Sequence, residues 1–475
     1  MHCRATRKTL HIALDPESAR FRASALSHLP VCSSASSISW LLALAGAALA
    51  LPALAQQPED AEEEQPPPPI FMPERAPSAE PERPPTGQPD PAGILQQDRT
   101  PREPPAPLPQ DRALTLQAGG SLSWDSNIFR RSEAQSERIE TGYVGLRLDK
   151  LYRQQRWFLD ITETAYRYQN FSFLDFNALN YRGGWAWHFS PRVSGVLSAE
   201  RAQSLVNYGL FRDTLVQNVR TAERYLANGE AELVTRWHLL AGLVAEDLKY
   251  SVAFPQQPSY RARGGEAGIK YLPRVDRYVS IKVIELDADY TDHALDPVAL
   301  VDDGFRRREA QLAASWRLTA KTALDARLAH VAYRYPHFSE RDFSGNTGML
   351  TLRWGATPKL ILDLALVRDM APWLDDFTSY RVEQRASLGA TWDIAARTTL
   401  RASLGQFKAD YRNPVVPLTG PARRDTGSVA DLRAEWRALR NLVFNAAWQH
   451  YRQDSNDPFP HFAGRIVTFG GSLLF

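Results

Sequence analysis

The stretch Tyr380–Asp393 alternates between two kinds of residue with a period of two. One set is Tyr380, Val382, Gln384, Ala386, Leu388, Ala390 and Trp392; the other is Arg381, Glu383, Arg385, Ser387, Gly389, Thr391 and Asp393. Successive side chains of a strand point to opposite faces, so this segment predicts a strand with one apolar face and one charged or small face. Its length is the stronger constraint. From Tyr380 to Trp392 an extended strand covers about 40 Å, and when tilted by about 40° it spans roughly 30 Å of height, enough to cross a membrane's apolar band of about 25 Å. A half-buried strand of a soluble sandwich alternates too, so the weight of the argument falls on repetition.

The pattern recurs. Thr426, Ser428, Ala430, Leu432, Ala434 and Trp436 oppose Asp425, Gly427, Asp431, Arg433, Glu435 and Arg437. Leu312, Ala314, Trp316 and Leu318 oppose Arg307, Glu309, Gln311 and Arg317, and Leu179–Phe189 alternates around Arg182. The apolar sets carry Trp187, Trp237, Trp316, Trp354, Trp392 and Trp436 beside short connections, with Tyr271 in the same role and Tyr380 at the opposite border of its strand. A ring of Trp and Tyr at one level suits a membrane interface, where an apolar ring body and a polar N–H or O–H are both satisfied.

From Ala113 to Phe475, long polar connections (125–137, 170–177, 203–222, 251–261, 291–304, 336–345, 370–378, 412–424 and 453–464) alternate with tight ones near Lys150, Pro191, Trp237, Pro273, Ala320, Thr357, Ala395 and Leu439. Nine long and eight short connections predict eighteen strands with both ends on the short-turn side. That is the plan of an all-β, transmembrane antiparallel barrel, whose closure leaves no unpaired edge in the bilayer. Aromatic markers about 40 residues apart also suggest a propeller. A propeller repeat needs four short strands, however, and each period here holds two long ones.

Two segments precede the barrel. Residues 1–55 read as an export signal, because Trp40–Ala55 is apolar and ends in Ala53-Leu54-Ala55, a small-x-small cleavage pattern before Gln56. Both cysteines, Cys3 and Cys32, fall within it, so the mature chain is expected to hold no disulfide and no thiolate chemistry. Residues 56–112 carry 17 of the 33 prolines and twelve acidic residues. Such a segment has too little to bury to offset its ordering entropy, and is expected to be a disordered periplasmic linker.

No catalytic constellation stands out. The seven histidines from residue 113 onward show no metal-ligand spacing, and the nearest acid–histidine pair is Asp292-His293 at a loop. The arginines are more informative. Residues 113–475 hold 39 Arg and 7 Lys against 40 acidic residues. Candidate inward arginines include Arg182, Arg224, Arg236, Arg307, Arg327, Arg353 and Arg401, with Glu230, Glu232, Asp325 and Asp363 as acidic companions. The expected lumen lining centres on Arg381, Glu383, Arg385, Asp431, Arg433, Glu435 and Arg437. Two readings stay open: cross-strand pairs that simply hold a watery interior, or a wall that guides an anionic or hydroxyl-rich solute.

The start of the barrel, Leu116–Arg130 (LQAGGSLSWDSNIFR), resembles the opening of the EpsL-like outer-membrane β-barrels encoded with bacterial exopolysaccharide-biosynthesis genes. The likeness extends through Tyr181–Phe189 to the last strand, which ends on an outward aromatic, Phe475, as the barrel-insertion machinery recognises. It implies a porin-like component of exopolysaccharide biosynthesis or export, with no catalytic residues and no cofactor. The expected partners are outer-membrane lipid, the insertion machinery, a polysaccharide or small saccharide, and other polysaccharide-export proteins, but no nucleic acid. A non-conducting structural or surface-attachment barrel is the second reading, and a barrel-embedded enzyme the third.

Overall fold

The computed structural model describes residues 113–209, 215–254, 256–274, 277–375, 377–417, 420–457 and 461–475. The predicted export signal and linker lie outside the described residues. Eighteen strands follow one another: β1 (Leu114–Asp125), β2 (Glu137–Tyr152), β3 (Gln155–Tyr168), β4 (Phe176–Ser190), β5 (Val193–Leu205) and β6 (Val219–Val234). Next come β7 (Trp237–Tyr250), β8 (Tyr260–Arg274), β9 (Arg277–Tyr290), β10 (Gly304–Thr319), β11 (Thr322–Arg334) and β12 (Phe343–Thr357). The last third is β13 (Leu360–Asp375), β14 (Thr378–Ala395), β15 (Thr398–Arg412), β16 (Arg424–Arg437), β17 (Leu442–Ser455) and β18 (Phe462–Leu474). Every neighbour is antiparallel, and β1 pairs with both β2 and β18, so the sheet closes into an eighteen-stranded barrel. Beyond the last strand residue, Phe475 exchanges both backbone hydrogen bonds with Leu116 (3.1 and 2.8 Å).

The outward face is apolar along the middle of the strands. Leu243 is 69% exposed and Leu404 64%, and Val144, Leu328, Leu388 and Phe469 are similarly bare. Exposed aliphatic side chains in a continuous belt are costly in water and are what a hydrocarbon layer accommodates. Toward the short turns the belt gives way to aromatics, with Trp157 stacked on Trp185 at 5.0 Å and Trp237 tilted against Tyr271 at 4.8 Å. Toward the long loops it gives way to outward ion pairs, such as Arg306–Asp287 (2.6 Å) and Arg308–Glu285 (2.9 Å).

The connection between β13 and β14 differs from the sequence expectation. Residues 370–378 read as a long loop, yet the two strands run on to Asp375 and resume at Thr378 as a long hairpin, with a register shift between Pro372 and Asp375 that leaves Trp373 and Leu374 out of the ladder. Met370, Ala371, Trp373, Leu374, Arg381, Val382 and Glu383 are all buried. A wall strand buries one face. This hairpin tip buries both, because β13 parts from β12 beyond Arg368 while β14 stays paired with β15 as far as Tyr380, and the tip packs over the inward residues of the strands before it. Met370, Leu374 and Val382 join a cluster built on the inward residues of β7 to β12, while Trp373 joins a second cluster with Tyr166, Leu205 and Tyr411.

Candidate functional site

The lower lumen is built by register. Arg147 on β2 lies opposite Asp160 on β3, which lies opposite Arg182 on β4, followed by Glu200, Arg224 and Glu246 on β5, β6 and β7. Six neighbouring strands thus present alternating charges in one oblique row, rising from near the short turns to near the long loops. Arg147 meets Asp160 at 2.8 Å and Arg182 meets Glu200 at 3.2 Å, with side chains that stay partly exposed. Across the bore, Arg353 pairs with Asp363 at 2.9 Å and Arg401 with Glu435 at 3.1 Å. Opposite charges placed directly across a sheet attract, and partial exposure keeps them hydrated. This half of the lumen is polar, and its fixed charges largely cancel.

All seven predicted lining residues fall on the inward parity of β14 and β16, but in two environments. Arg433 (with Asp431, 2.8 Å) and Arg437 (with Glu435, 3.2 Å) face open lumen. Arg381 and Arg385 both bond Glu383, at 2.7 and 3.1 Å, within the packed hairpin region. Of the other candidates, Arg236 lies in the β6–β7 turn at φ 74° and lines no wall. Trp187, Trp237, Trp316, Trp354, Trp392 and Trp436 lie on outward parity near the short turns. Tyr380 departs from its expected place at a membrane border: it stacks on Phe343 (centroids 4.5 Å apart) and packs against the inner cluster, carried there by the hairpin's lean. Sequence reasoning missed Arg147, Asp160, Glu200 and Glu246. Only the strand register reveals them, as opposite charges at matching heights.

The long-loop end is closed by packing. The Leu374 N–H donates to the Gln256 carbonyl (2.9 Å) of the β7–β8 loop, five strands away from β13 around the wall. Arg341, fully buried in a 3-10 turn between β11 and β12, donates to Leu300 O, Ala299 O, Asp375 O and Thr378 O at 2.7–3.2 Å. One guanidinium thereby ties the β9–β10 loop to the tip of the hairpin. On the other side Phe129 contacts Phe171 (4.8 Å) and Tyr208 (5.3 Å), so three loops share one apolar core.

Deeper in this end, Arg307 bonds Glu246 at 3.2 Å and is only 4% exposed. Buried beside it on β10, Glu309 has no hydrogen-bond partner for either oxygen among the described residues. It stands two positions from Arg307 on the same inward face of β10.

The Asp125–Arg130 stretch, which carries the family resemblance, forms a knot at the barrel seam. The Asp125 carboxylate accepts from the Asn127 N–H (2.9 Å), the Arg130 guanidinium (2.8 Å) and the Tyr451 hydroxyl of β17 (3.0 Å). Arg130 sits at φ 53°, an uncommon conformation for a side-chain-bearing residue, and also donates to Asn127 O and Tyr451 Oη. These bonds hold it there.

The carboxylates beside two loop histidines are engaged in contacts between loops. Asp292, next to His293, has both oxygens engaged by the Ser259 N–H (2.9 and 3.0 Å). Asp302, Asp303 and His337 bring ligand-type atoms within 4.8 Å of one another. Asp302, however, already accepts from the His337 N–H (2.7 Å), the His337 ring (3.0 Å) and the Phe338 N–H (3.3 Å). That trio latches the β9–β10 loop to the β11–β12 loop.

No protein-family profile matches the sequence, and no curated protein matches it. Among solved structures, OpdK of Pseudomonas aeruginosa is 11% identical, with 76% of this chain and 99% of that one covered at a TM-score of 0.44. OpdF of Pseudomonas aeruginosa, in complex with glucuronate, is 12% identical over 78% and 99% at 0.43. OccAB3 of Acinetobacter baumannii is 9% identical over 76% and 98% at 0.42. Likenesses this distant speak for no residue and no solute.

Proposed function

We propose that this chain is a bacterial outer-membrane barrel that passes a small hydroxyl-rich or anionic solute, as a porin-like part of a surface-polysaccharide system. The observation that carries the reading is the alternating Arg–carboxylate row from Arg147 to Glu246, whose lower pairs stay partly exposed in the bore. Paired charges offer forked donors and acceptors to hydroxyl and carboxylate groups without a strong field that would trap a solute. The apolar outer belt with its Trp ring supports the membrane setting, outward Phe475 supports delivery by the insertion machinery, and the EpsL-like opening supports the polysaccharide link. Passage requires the β13–β14 hairpin to withdraw, so the resting barrel is shut at its long-loop end.

The packed mouth also favours a second reading, a structural or surface-attachment barrel that never conducts. Planar-bilayer recording separates the two when the wild type is compared with a Trp373→Ala/Leu374→Ala variant. Rare openings in the wild type and frequent ones in the variant are expected. Silence in both, with the variant folded and inserted, would leave the structural barrel standing. A wild type already fully open would refute closure by the hairpin.

A further inference from the structure

The two ends of the barrel carry opposite charge. The nine long connections between strands hold five cationic and eleven acidic residues, four of the acids in the β9–β10 loop alone. The eight short turns hold seven cationic residues and one acidic one, Asp276. Their placement is regular. In five turns of two residues the second is the cation: Arg192, Arg236, Lys321, Lys359 and Arg397. Arg153 opens the β2–β3 turn, and Arg440 lies in the longer β16–β17 turn. The remaining turn, Val275-Asp276, is flanked by Arg274 and Arg277. All seven turn cations are exposed, and among the described residues only Arg192 has a carboxylate within ion-pair reach, Glu232 at 3.7 Å. Turn geometry does not ask for this, since Gly, Pro, Asn, Asp and Ser are the residues that tight turns favour.

Successive hairpins stand two strands apart, so the cations follow one another around the rim at about 10 Å. The Debye length is also about 10 Å at 0.1 M salt, so neighbouring cations reinforce one another. Cations at the headgroup level form a separate, outward set: Lys150 stands opposite Trp157, and Arg277 lies 5.4 Å from the Trp316 ring. The rim also lacks the anchors of a protein interface. Among the turn residues beside the cations, only Val275 and Leu439 are sizeable apolar side chains. Many evenly spaced charges with little apolar area suit a flexible polyelectrolyte, which gains by releasing its condensed counterions.

We propose that the short-turn rim is a docking collar for an anionic polysaccharide, which lies along the ring with its acidic groups near successive turns. The acidic long-loop end repels the same polymer, so the barrel binds it from one side only. The inference rests on the surface-polysaccharide reading above and narrows its solute class to acidic chains.

The test is fluorescence anisotropy of labelled polygalacturonate titrated with the folded full-length barrel in neutral detergent, at low and high salt. The wild type is expected to bind it, to ignore labelled dextran, and to lose affinity steeply as salt rises. Lys359→Gln alone should weaken binding by about fivefold, as one cation does near an anionic surface. Replacing Lys321, Lys359, Arg397 and Arg440 together by Gln should weaken it by about a hundredfold and flatten the salt dependence. Replacing Arg306, Arg308, Arg412 and Arg452 by Gln removes as many charges near the long loops and should leave binding unchanged. Equal losses in the two fourfold variants would overturn the collar, since binding would then follow net charge alone. So would equal binding of dextran, or no binding by the folded wild type. Tighter binding of polyglutamate would give the rim to an acidic polypeptide and overturn the assignment too. A barrel that binds polygalacturonate yet never conducts would uphold the collar and refute passage alone.

Discussion

Arg147 and Arg307 stand on the same inward wall and each pairs with a carboxylate, yet they occupy different worlds. Arg147 is 33% exposed beside Asp160, whereas Arg307 is 4% exposed beside Glu246. The strand pattern is identical at both positions. What differs is the surroundings: Arg147 stays partly exposed, whereas Arg307 is packed beside Tyr333 of the adjacent strand and Tyr260 within the cluster that the hairpin joins. A hydrated pair is worth about 0–1 kcal/mol, while leaving one buried partner uncompensated costs about 3–5 kcal/mol. Alternation decides which way a side chain points, and tertiary packing decides what that direction is worth.

The sharpest way to break this comparison is to attack each end of the barrel separately. Phe475 and Leu116 join the last strand to the first at the short-turn end, where the wall itself is closed. Deleting Leu473–Phe475 should abolish assembly and leave the chain unfolded or degraded, read as loss of the heat-resistant folded band in membrane fractions. The hairpin changes Trp373→Ala/Leu374→Ala should leave that band in place. If the two gave the same result, the mouth would be part of the barrel's framework rather than a filling.

Single arginines give the next largest contrast. Arg307→Ala should destabilise the barrel by about 3–5 kcal/mol, because it leaves the buried Glu309 with no buried cation on its own strand. Arg147→Ala should stay within about 1 kcal/mol. Urea unfolding in detergent reads both. Equal losses would mean that the lower lumen is as dry as the upper one.

The outer and inner faces of one strand offer a smaller test. Ala386 is outward and Ser387 inward on β14, below the hairpin's lean. Ala386→Arg should cost about 2–4 kcal/mol in lipid, and Ser387→Arg, facing open lumen, should be tolerated. A one-residue slip of register exchanges those outcomes.

How much of this was legible beforehand follows from the same contrast. The strands, the closure and the inward parity of Arg381 to Arg437 are local facts, carried by period-two alternation within each segment. The lean of β13–β14 is not local. It depends on Leu374 reaching Gln256 and on Arg341 reaching Thr378, and Pro372 with Asp375 gave residues 370–378 the look of an ordinary loop. Tyr380 was misjudged for that reason. The Asp125–Arg130 stretch was visible as a resemblance, but its role was not, since its partner Tyr451 lies 326 positions beyond Asp125. The charged row was half visible: Arg182 and Arg224 could be placed inward, but their partners emerge only when neighbouring strands are aligned.

The mildest test concerns the loops above the mouth, where pH should change the latch without touching the wall. Burial alone would raise the Asp302 carboxyl, but hydrogen bonds from the His337 ring and backbone outweigh it and hold the group below the usual carboxylate range. The His337 ring is held above its ordinary value of 6.5, chiefly by its hydrogen bond to Asp302. A histidine raised in the folded state contributes fully below its unfolded value, and that contribution is lost as pH rises through the raised one. A depressed carboxylate contributes above its unfolded value and loses its contribution as pH falls through the lowered one. The latch is therefore tightest between the carboxylate and imidazole ranges, near about pH 5, and loosens on the alkaline side as His337 gives up its proton. Amide exchange across 291–303, corrected for the intrinsic pH dependence, should be slowest in that window and accelerate several-fold above the raised histidine value. His337→Asn should flatten the profile while leaving exchange in β2–β5 unchanged. A wild-type profile already flat would show that the β9–β10 loop is held by Arg341, through Leu300 and Ala299, and by Asp292, through Ser259, and that the mouth has no pH-sensitive fastening at this point.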